Sequence, residues 1–339
     1  MRVGILTSGG DCPGLNAVIR GAVLRGIREY GQSFVGFRDG WRGLVEADSI
    51  ELDWKAIRGI AKLGGTVLGT SRTNPLINGV EPVIAALDQQ RIDAVIAVGG
   101  EGTLTVAQLL SQAGVPIVGV PKTIDNDLSA TDYSFGFDTA VQIAMEAIDK
   151  IVTSGESHHR CMVVEVMGRH AGWIALHAGM ATSAHAILIP EKPVGLDRIA
   201  DWVTKTQARG RTPLVVVAEG FTLDTMSTPH HELGLDAFGR PRLGGIGNLL
   251  APLIEEATGI ESRATTLGYI QRGGVPTAFD RVLALRLGMA SADSVHQQTW
   301  GTMVALRGTA IRRVPLSEAI GELSRVPDER YAEASVFFG

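Results

Sequence analysis

Short apolar runs alternate with longer amphipathic segments along most of the chain. The apolar runs have the length of buried strands, and the segments between them repeat apolar residues with a helical period. Strands are predicted at Val3–Leu6, Ser33–Phe37, Ala94–Val98, Ile117–Val120, Cys161–Val166, Ala186–Ile189 and Leu214–Ala218. Helices are predicted at Asn16–Tyr30, Val80–Gln90, Leu104–Ala113, Asp138–Thr153 and Gly245–Thr258. Because parallel sheets covered by helices on both faces give this pattern, we expect an α/β fold.

Length and composition fit one large or two ordinary α/β domains. The chain has 339 residues, of which 45% are hydrophobic, enough for a sizeable core. Its 42 glycines show no collagen-like period, which indicates tight turns and close backbone approaches. Residues Thr222–Leu243 are rich in Gly, Pro, His and Asp and have little periodicity, so we expect an exposed insertion there.

The net charge, the cysteine count and the lack of targeting signals argue against several classes of protein. A net charge of −5 argues against nucleic-acid binding, which usually requires a basic patch. The two cysteines, Cys12 and Cys161, are too few for a metal cluster and are expected to stay thiols in a reducing compartment. The chain has no run of 18 apolar residues and no signal-peptide pattern. We therefore expect a cytoplasmic protein with no membrane and no nucleic-acid partner.

Two glycine-rich turns that follow predicted strands are candidate phosphate sites. Thr7–Gly14 reads TSGGDCPG, and Gly99–Thr103 reads GGEGT. Such turns let backbone N–H groups approach a phosphate, and the N-terminus of the following helix adds positive potential. Thr7–Gly14 has the spacing of neither a Walker A loop nor a dinucleotide loop. Each turn alone is also compatible with an ordinary β–α connection, but the two together favour one polyphosphate ligand.

The segment Pro121–Asp127, with the sequence PKTIDND, carries the strongest chemical signal. Asp125 and Asp127 come after a predicted strand, at the sheet edge where open α/β folds bind ligands. A carboxylate there can deprotonate a sugar hydroxyl for attack on phosphorus, and a second one can shift its pKa or help to organise Mg²⁺. An Asx-turn with a capping aspartate is the alternative interpretation. Together with the metal-capable Glu101, these features indicate phosphoryl transfer.

Several arginines stand near predicted strand ends or near glycines. They are Arg72, Arg160, Arg169, Arg263 and Arg272. A lone arginine is usually a surface residue. An arginine at such a position more often clamps a phosphate, because the guanidinium group binds two oxygens at once.

Six motifs, taken in order, resemble those of the 6-phosphofructokinase family. They are Gly9–Asn16, Gly99–Thr103, Pro121–Asp127, Met167–Gly172, Glu219–Gly220 and Leu267–Gly274. The resemblance runs from residue 1 to about residue 330. It implies two Rossmann-like three-layer α/β domains with an active site in the cleft between them, and phosphoryl transfer from Mg-ATP to O1 of fructose 6-phosphate. The implied donor domain is 1–136 plus about 271–321, and the implied fructose 6-phosphate domain is 137–270 plus about 322–339.

The resemblance also implies roles for individual residues. Asp125 matches the catalytic base, and the other implied catalytic residues are Thr123, Asp127 and Arg169. Glu101 stands where the family usually has an aspartate associated with Mg²⁺. The remaining donor positions are Gly10, Arg72, Thr73, Gly100, Gly102, Thr103 and Lys122. The sugar-phosphate positions are Thr123, Asp125, Arg160, Met167, Gly168, Arg169, Glu219, Arg263, Tyr269 and Arg272.

The family supplies the residues matched by Arg160 and Arg263 across a subunit interface. The resemblance therefore implies a homo-oligomer, a dimer or a tetramer, with a shared active site.

Three positions depart from the usual family pattern. Tyr269 replaces a histidine, so it can donate a hydrogen bond to a phosphate but cannot carry positive charge. Lys122 replaces the glycine of common bacterial ATP-dependent members and resembles pyrophosphate-dependent relatives. At the family's effector site Arg20 is retained, but Leu24 replaces a basic residue and His185 a glutamate. The family's effectors therefore cannot be assigned to this chain.

Gly102 and Lys122 point to different phosphoryl donors. Pyrophosphate-dependent relatives have an aspartate at the position of Gly102, which occupies the space that a nucleotide's α-phosphate and ribose need. A lysine at position 122 can swing aside or contact a phosphate, so we predict ATP and keep pyrophosphate as the alternative. A non-catalytic sugar-phosphate or nucleotide-binding protein is less compatible with the paired aspartates. A dinucleotide-dependent oxidoreductase is less compatible with the missing Gly-x-Gly-x-x-Gly motif.

Overall fold

The computed structural model describes residues 1–226 and 243–339. Most of the insertion predicted at Thr222–Leu243 lies outside these residues. The described chain divides into two compact units. Unit 1 comprises Met1–Thr139 and Arg272–Leu323, and unit 2 comprises Ala140–Gln271 and Ser324–Gly339.

Every strand and helix predicted above is present, with ends that are identical or shifted by a few residues. The strands are β1 (Arg2–Ser8), β2 (Ser33–Phe37), β3 (Ser49–Glu51), β4 (Ala94–Gly99), β5 (Ile117–Pro121), β6 (Cys161–Val166), β7 (Ala186–Leu188), β8 (Leu214–Ala218), β9 (Ser262–Thr266), β10 (Thr302–Arg307) and β11 (Ala310–Pro315). The helices are α1 (Leu15–Tyr30), α2 (Trp41–Glu46), α3 (Glu81–Gln89), α4 (Glu101–Gln112), α5 (Phe137–His158), α6 (Trp173–Ala181), α7 (Leu196–Ala208), α8 (Ile246–Thr258), α9 (Ala278–His296), α10 (Leu316–Ala319) and α11 (Asp328–Ser335). Among the helices of residues 1–226 and 243–339, none is long and apolar enough to cross a membrane.

Unit 1 is built on a sheet with the strand order β11-β10-β5-β4-β1-β2-β3. The pairs β2–β3 and β10–β11 are antiparallel and the other pairs are parallel, so the predicted α/β fold with mostly parallel sheets is confirmed. The central strand β1 pairs with β2 on one side and β4 on the other. Strand addition therefore changes direction between β1 and β4. In open α/β sheets, ligands bind outside the carboxyl ends of the strands at such a point.

Helices α1 and α9 of unit 1 are in backbone contact. A Cβ atom added to Gly21 would lie 2.4 Å from the carbonyl oxygen of Leu285, and one added to Gly288 would lie 2.2 Å from that of Val18. Any larger side chain at either glycine would force the helices apart. Since α1 starts directly after the first glycine-rich turn, this packing fixes the exit of that turn.

Unit 2 has a second, fully parallel sheet with the strand order β7-β8-β6-β9 among its described residues. Its core contains Val163 and Val215 from the sheet and Leu250 from α8. Buried Glu165 accepts hydrogen bonds from the N–H groups of Gly245, at 3.1 Å, and Gly247, at 2.8 Å. This carboxylate satisfies free donors at the start of α8 and complements the helix dipole.

Both cysteines are free, buried thiols. The Sγ atom of Cys12 donates to the carbonyl oxygen of Phe135 at 3.8 Å. Burial raises the pKa of Cys12 to about 12, and burial raises the pKa of Cys161 to about 12 as well.

Candidate active site

Three candidate segments leave the sheet of unit 1 at the same edge. Ser8 of β1 pairs with Gly99 of β4, and Gly99 pairs with Pro121 of β5. The backbone N–H of Lys122 then donates to the carbonyl oxygen of Gly99 at 2.9 Å. The two glycine-rich turns and the PKTIDND segment are therefore neighbours at the point where the strand order changes direction.

The Lys122 side chain lies inside this group of loops. Its Nζ atom donates to the carbonyl oxygen of Gly10 at 2.5 Å, and a Cβ on Gly9 would lie 3.3 Å from Nζ. Only 4% of Lys122 is exposed. Burial lowers the pKa of Lys122, while the nearby carboxylates of Asp11 and Asp125 act in the opposite direction. The sequence argument treated this lysine as free to swing aside, whereas the structure gives it a fixed, buried position.

A second cation contacts the first glycine-rich turn. A Cβ on Gly10 would lie 2.7 Å from Nη1 of Arg272, and Nη1 donates to the carbonyl oxygen of Asp11 at 3.2 Å. Glycine at position 10 therefore leaves the space that the guanidinium group occupies. The resemblance assigned Arg272 to the sugar phosphate, and within unit 1 the side chain lies against the predicted donor loop.

The second glycine-rich turn opens α4. Gly100 is the N-cap residue, Glu101 is the acidic residue of the first turn, and Thr103 is buried. A Cβ added to Gly102 would meet no described atom within 4 Å apart from its chain neighbours and the backbone of its own helix. The first N–H groups of a helix have no intrahelical partners and attract anions. The start of α4 thus offers anion-binding donors beside an open volume.

The predicted donor residues Arg72 and Thr73 are brought next to the first turn. The Gly9 N–H donates to the carbonyl oxygen of Ser71 at 3.0 Å, and Oγ1 of Thr70 donates to that of Gly9 at 2.6 Å. Arg72 and Thr73 directly follow these contacts and are exposed. This part of the chain extends the predicted phosphate site.

Burial alternates along the segment that carries the paired aspartates. Thr123, Asp125 and Asp127 are partly exposed, whereas Ile124, Asn126 and Leu128 are buried. The three predicted catalytic side chains thus belong to the less buried row. Within it, the Asp125 N–H donates to Oγ1 of Thr123 at 3.0 Å.

Sequence reasoning missed two polar residues behind the aspartates. Asn126 is buried, has a φ of 51°, and its Oδ1 atom accepts from the N–H of Ser134 at 2.9 Å. Ser134 is fully buried, and its Oγ atom donates to the carbonyl oxygen of Thr123 at 2.9 Å. The available signal was the asparagine itself, a polar residue between the buried positions Ile124 and Leu128.

The carboxylates of unit 1 fit a Mg²⁺ ion that arrives with a phosphate ligand. Within residues 1–226 and 243–339, no group of three or more His, Cys, Asp or Glu side chains is arranged to hold a metal. Mg²⁺ is commonly bound by one or two carboxylates, substrate phosphates and water. Glu101 and the paired Asp125 and Asp127 can supply such carboxylates without a complete protein cage.

Unit 2 gathers a second set of predicted residues at the carboxyl ends of its strands. Met167, Gly168 and Arg169 follow β6, and Glu219 follows the neighbouring strand β8. The Glu219 N–H donates to the carbonyl oxygen of Val166 at 2.9 Å. These two loops therefore start at the same level of the sheet.

Close backbone packing holds the β6 and β8 loops together. The Gly220 N–H donates to the carbonyl oxygen of Gly168 at 3.1 Å. A Cβ on Gly220 would lie 2.0 Å from the carbonyl oxygen of Arg169, and Gly168 has a φ of +141°. Both glycines are thus required by geometry.

The loop after β9 completes this edge of unit 2. Oε1 of Gln271 accepts from the Met167 N–H at 3.2 Å. Tyr269, in the short 3₁₀ helix Gly268–Arg272, is 78% exposed. The phenol at the position of the family's usual histidine is therefore accessible to a ligand.

Arg160 and Arg263 lie at the opposite edge of the unit 2 sheet. Arg160 directly precedes β6 and Arg263 is the second residue of β9. The six residues of β6 separate Arg160 from Met167, a distance of about 20 Å along a strand. The structure brings these two arginines together, but not with the other sugar-phosphate candidates of the same chain.

Glu261 links the two arginines. Oε2 of its carboxylate lies 2.9 Å from Nε of Arg160 in an ion pair, and Oε1 pairs with Nη2 of Arg263. Nη1 of Arg263 lies 3.5 Å from Oε2 of Glu255. Hydrogen bonding to Arg160 lowers the pKa of Glu261 below its usual range. Sequence analysis did not identify Glu261, although it precedes β9 by one residue.

His185, the altered effector position, lines a cavity in unit 2. The cavity has a volume of about 290 Å³, and its other polar lining includes Glu156, His159 and Arg211. Nδ1 of His185 accepts from the Leu214 N–H at 3.1 Å. Burial, assisted by Arg211, lowers the pKa of His185 to about 4. A neutral imidazole therefore stands where the family usually has a carboxylate.

Comparison with known proteins agrees with the resemblance. The family model described as phosphofructokinase matches residues 2–295. The chain belongs to the phosphofructokinase family, as the six motifs predicted.

The relatives divide between two phosphoryl donors. This chain is 57% identical over 341 residues to the pyrophosphate–fructose 6-phosphate 1-phosphotransferase of Amycolatopsis methanolica, with 100% of both chains covered. It is 52% identical over 337 residues to ATP-dependent 6-phosphofructokinase 3 of Streptomyces coelicolor, with 98% of this chain and 99% of the relative covered. Overall identity therefore leaves the donor open.

Solved structures share the fold. Pichia pastoris phosphofructokinase in the T-state matches with a TM-score of 0.83 and 31% identity over 99% of this chain, which spans 36% of that longer chain. The pyrophosphate-dependent phosphofructokinase of Marinobacter aquaeolei matches with a TM-score of 0.81 and 24% identity, covering 97% of this chain and 86% of that one.

Proposed function

We propose that this phosphofructokinase transfers a phosphoryl group from Mg-ATP to O1 of fructose 6-phosphate, giving fructose 1,6-bisphosphate and ADP in the cytoplasm. The observation that carries the choice of donor is the open volume at Gly102, where an added Cβ would meet no described atom within 4 Å outside its own helix. A nucleotide needs room beyond its β-phosphate for the α-phosphate and ribose. The start of α4 offers this room beside its anion-binding N–H groups.

In this proposal Asp125 removes the O1 proton as O1 attacks the terminal phosphorus of the donor. The bond from that phosphorus to the bridging oxygen breaks, and the leaving oxygen remains with ADP. Thr123, Asp127 and Arg169 assist at the reacting groups. Mg²⁺, held by the donor phosphates and by Glu101, would supply positive charge for the phosphate oxygens.

The two units take separate tasks in the proposal. Unit 1 binds the donor through its glycine-rich turns, Arg72, Thr73 and Lys122. Unit 2 binds fructose 6-phosphate through Met167, Gly168, Arg169, Glu219 and Tyr269. Arg272, which contacts the first turn, binds the substrate phosphate when fructose 6-phosphate is present.

Pyrophosphate is the second candidate donor, and Lys122 favours it. Nζ of Lys122 is buried and fixed on the carbonyl oxygen of Gly10, beside the phosphate loops. Its side chain therefore loses little further conformational entropy when a donor binds. A short donor without a nucleoside would gain most from the charge of this lysine. The identity to the Amycolatopsis methanolica enzyme is compatible with this alternative.

We also propose that the active site is shared between subunits of a homo-oligomer, a dimer or tetramer. Arg160 stands about 20 Å from Met167 along β6. Arg263 pairs with Met162, five residues before Met167, so both arginines are too far for a contact with the same sugar phosphate. They can bind the 6-phosphate only of a neighbouring subunit. Their charge-assisted hydrogen bonds would then neutralise that phosphate.

Coupled assays of the purified protein with fructose 6-phosphate test the donor directly. ATP and pyrophosphate are supplied separately, each with Mg²⁺, and formation of fructose 1,6-bisphosphate is followed. We expect robust turnover with ATP. Robust turnover with pyrophosphate and none with Mg-ATP would replace the first proposal with the second.

Variants at position 102 distinguish the effect of side-chain volume on ATP use from the effect of side-chain charge. Gly102→Asn and Gly102→Asp add nearly the same volume, but only the aspartate repels an α-phosphate. We expect Gly102→Asp to lower kcat/KM for ATP by about 10²-fold or more, since like charges in a closed site cost several kcal/mol. Gly102→Asn should lower it much less. Equal losses in both variants would show that a side chain at position 102 excludes ATP by its volume alone.

A further inference from the structure

Ser134 contacts two residues, Thr123 and Asn126, that precede and follow Asp125 in the chain. Its Oγ atom donates to the carbonyl oxygen of Thr123 at 2.9 Å, and its N–H donates to Oδ1 of Asn126 at 2.9 Å. We infer that Ser134 and Asn126 are positioning residues that hold the Asp125 carboxylate in place for proton abstraction. This inference rests on the proposed role of Asp125 as the base.

The burial of Asn126 requires an explanation, because a buried amide costs free energy unless it is hydrogen-bonded. Only 7% of Asn126 is exposed, and its neighbours in the buried row, Ile124 and Leu128, are apolar. Oδ1 of Asn126 accepts from the N–H of Ser134 and lies 3.3 Å from its Oγ atom. The amide thus provides an acceptor that an apolar side chain in this row could not provide.

The backbone of Asn126 also needs this residue type. Its φ of 51° lies in the left-handed region, which asparagine tolerates better than most residues. This conformation occurs between two aspartates that the mechanism uses separately. A different conformation at position 126 would rotate Asp125 and Asp127 relative to each other.

Ser134 can serve as a fixed point because the chain around it is anchored. The next residue, Phe135, forms an isolated parallel bridge with Lys122 and is fully buried. The ring of Phe135 fills the space above Gly14, where an added Cβ would lie 2.6 Å from it. Packing of Phe135 against the first glycine-rich turn therefore fixes the position of Ser134. Ser134 in consequence fixes the segment that carries Asp125.

Thr131 offers a matched control in the same loop. Its Oγ1 atom donates to the carbonyl oxygen of Tyr133 at 2.9 Å and accepts from the N–H of Leu306 at 3.1 Å. It is buried like Asn126, but its side-chain hydrogen bonds join the loop to Tyr133 and β10, whereas those of Ser134 reach residues 123 and 126. A loss of folding stability alone would affect Thr131 and Ser134 variants in the same way.

The first experiment compares Ser134→Ala, Asn126→Gly and Thr131→Val by steady-state kinetics and thermal unfolding. Asn126→Gly keeps the left-handed backbone accessible and removes only the amide. We expect Ser134→Ala and Asn126→Gly to lower kcat by 10- to 100-fold, since a displacement of about 1 Å can cost about 10²-fold. The KM for fructose 6-phosphate should change less than about threefold, and Thr131→Val should keep kcat within about twofold.

The second experiment tests whether Ser134 acts through Asp125. In the double variant Asp125→Ser/Ser134→Ala, the base is already absent, so the loss should equal that of Asp125→Ser alone. Losses that multiply in the double variant would overturn the inference. So would near-normal kcat in both Ser134→Ala and Asn126→Gly.

The outcomes separate this inference from the proposed function. A wild-type protein that phosphorylates fructose 6-phosphate from neither donor overturns both. An active wild type with insensitive positioning variants overturns the inference alone. A change of donor from ATP to pyrophosphate leaves the test intact, because the acceptor and the base are the same in both reactions.

Discussion

The charged groups near the loops of unit 1 and those at the far edge of unit 2 are held differently. Lys122 is 4% exposed and bound to a backbone carbonyl. The side chains of Arg160 and Arg263 are 32% and 52% exposed and bound to carboxylates. A buried ammonium group that leaves its acceptor loses a bond that water cannot replace, whereas an exposed guanidinium group can exchange partners readily.

Under the proposed function, this difference would give two modes of phosphate recognition within one chain. The unit 1 loops are preorganised, so their dipoles and charge need no rearrangement when a donor binds. In the proposed shared site, the arginines of unit 2 would exchange Glu261 and Glu255 for a phosphate of the neighbouring subunit. Substitutions in the two regions should therefore affect different kinetic constants.

The largest effect is expected for Asp125→Ser. Loss of a positioned base should lower kcat by roughly 10²–10⁴-fold. Binding of fructose 6-phosphate should change much less, because the substrate is held mainly by other groups. Steady-state kinetics and equilibrium binding of the sugar phosphate measure the two effects separately. Near-normal turnover of the folded variant would show that Asp125 is not the base.

Arg263→Ala and Arg160→Ala should mainly raise the KM for fructose 6-phosphate. An increase of roughly 10- to 100-fold is expected, because a hydrogen bond to a charged group contributes about 1.5–3 kcal/mol. Arg330→Ala is the matched control, since Arg330 forms an exposed ion pair with Glu333 elsewhere in unit 2. An equal change in the control would exclude a specific role.

Hybrid oligomers test whether the arginines act across a subunit interface. Mixing Asp125→Ser with Arg263→Ala should restore activity, because some sites would combine an intact base with an intact arginine from the neighbour. Activity is measured after subunit exchange, and mass spectrometry monitors the exchange itself. A mixture that exchanges subunits and regains no activity would contradict sharing.

A smaller effect, on stability, is expected from Asp280, a buried carboxylate of unit 1. It accepts from the N–H of Thr139 at 2.7 Å and from its Oγ1 at 2.6 Å, and burial raises the pKa of Asp280 to about 6. Because the folded pKa exceeds the unfolded one, the stabilisation is present below about pH 4 and is lost as the pH rises to about 6. The free energy of unfolding should fall by up to about 1.4 kcal/mol per pH unit in this window.

Asp280→Asn should remove that part of the pH dependence. Denaturant unfolding of both proteins between pH 4 and pH 8 measures the difference. Parallel stability curves for the two proteins over the whole range would mean that Asp280 does not titrate as stated.

The smallest effect is expected for Tyr269→His. The imidazolium form can add positive charge near the substrate phosphate, and the site is exposed, so KM for fructose 6-phosphate should fall by roughly twofold to fivefold. The decrease should be larger at pH 6 than at pH 8, because only the protonated ring is charged. A pH-independent change would indicate a difference in shape instead of charge.

The strands that sequence predicted best are those buried on both faces. Cys161–Val166 and Leu214–Ala218 were predicted with their observed ends, because such strands are mostly apolar and only Glu165 interrupts β6. Strand β9, with the sequence SRATT, lacks an apolar run and was missed. Helix α9 was also missed, since its buried face mixes Leu283 and Leu287 with Gly288 and polar residues, which weakens the apolar period.

The loops of the candidate site were predictable where they directly follow an apolar strand. Both glycine-rich turns and the paired aspartates were found because each directly follows an apolar strand. The support of Asn126 by Ser134 was not, because it joins residues of an irregular loop that has no periodicity. The pairing of Arg160 and Arg263 with Glu261 depends on the register of β6 and β9, which a single sequence does not specify.

The buried cysteines make the protein suitable for site-specific labelling. Thiolate is the reactive form of cysteine, and both native thiols are buried with a pKa of about 12, so alkylating reagents at neutral pH should leave them unmodified. Gly102→Cys would place an accessible thiol at the open start of α4 on this silent background. A bulky label attached there would fill the volume proposed for the nucleotide, so labelling alone should block ATP use without removal of any natural cysteine.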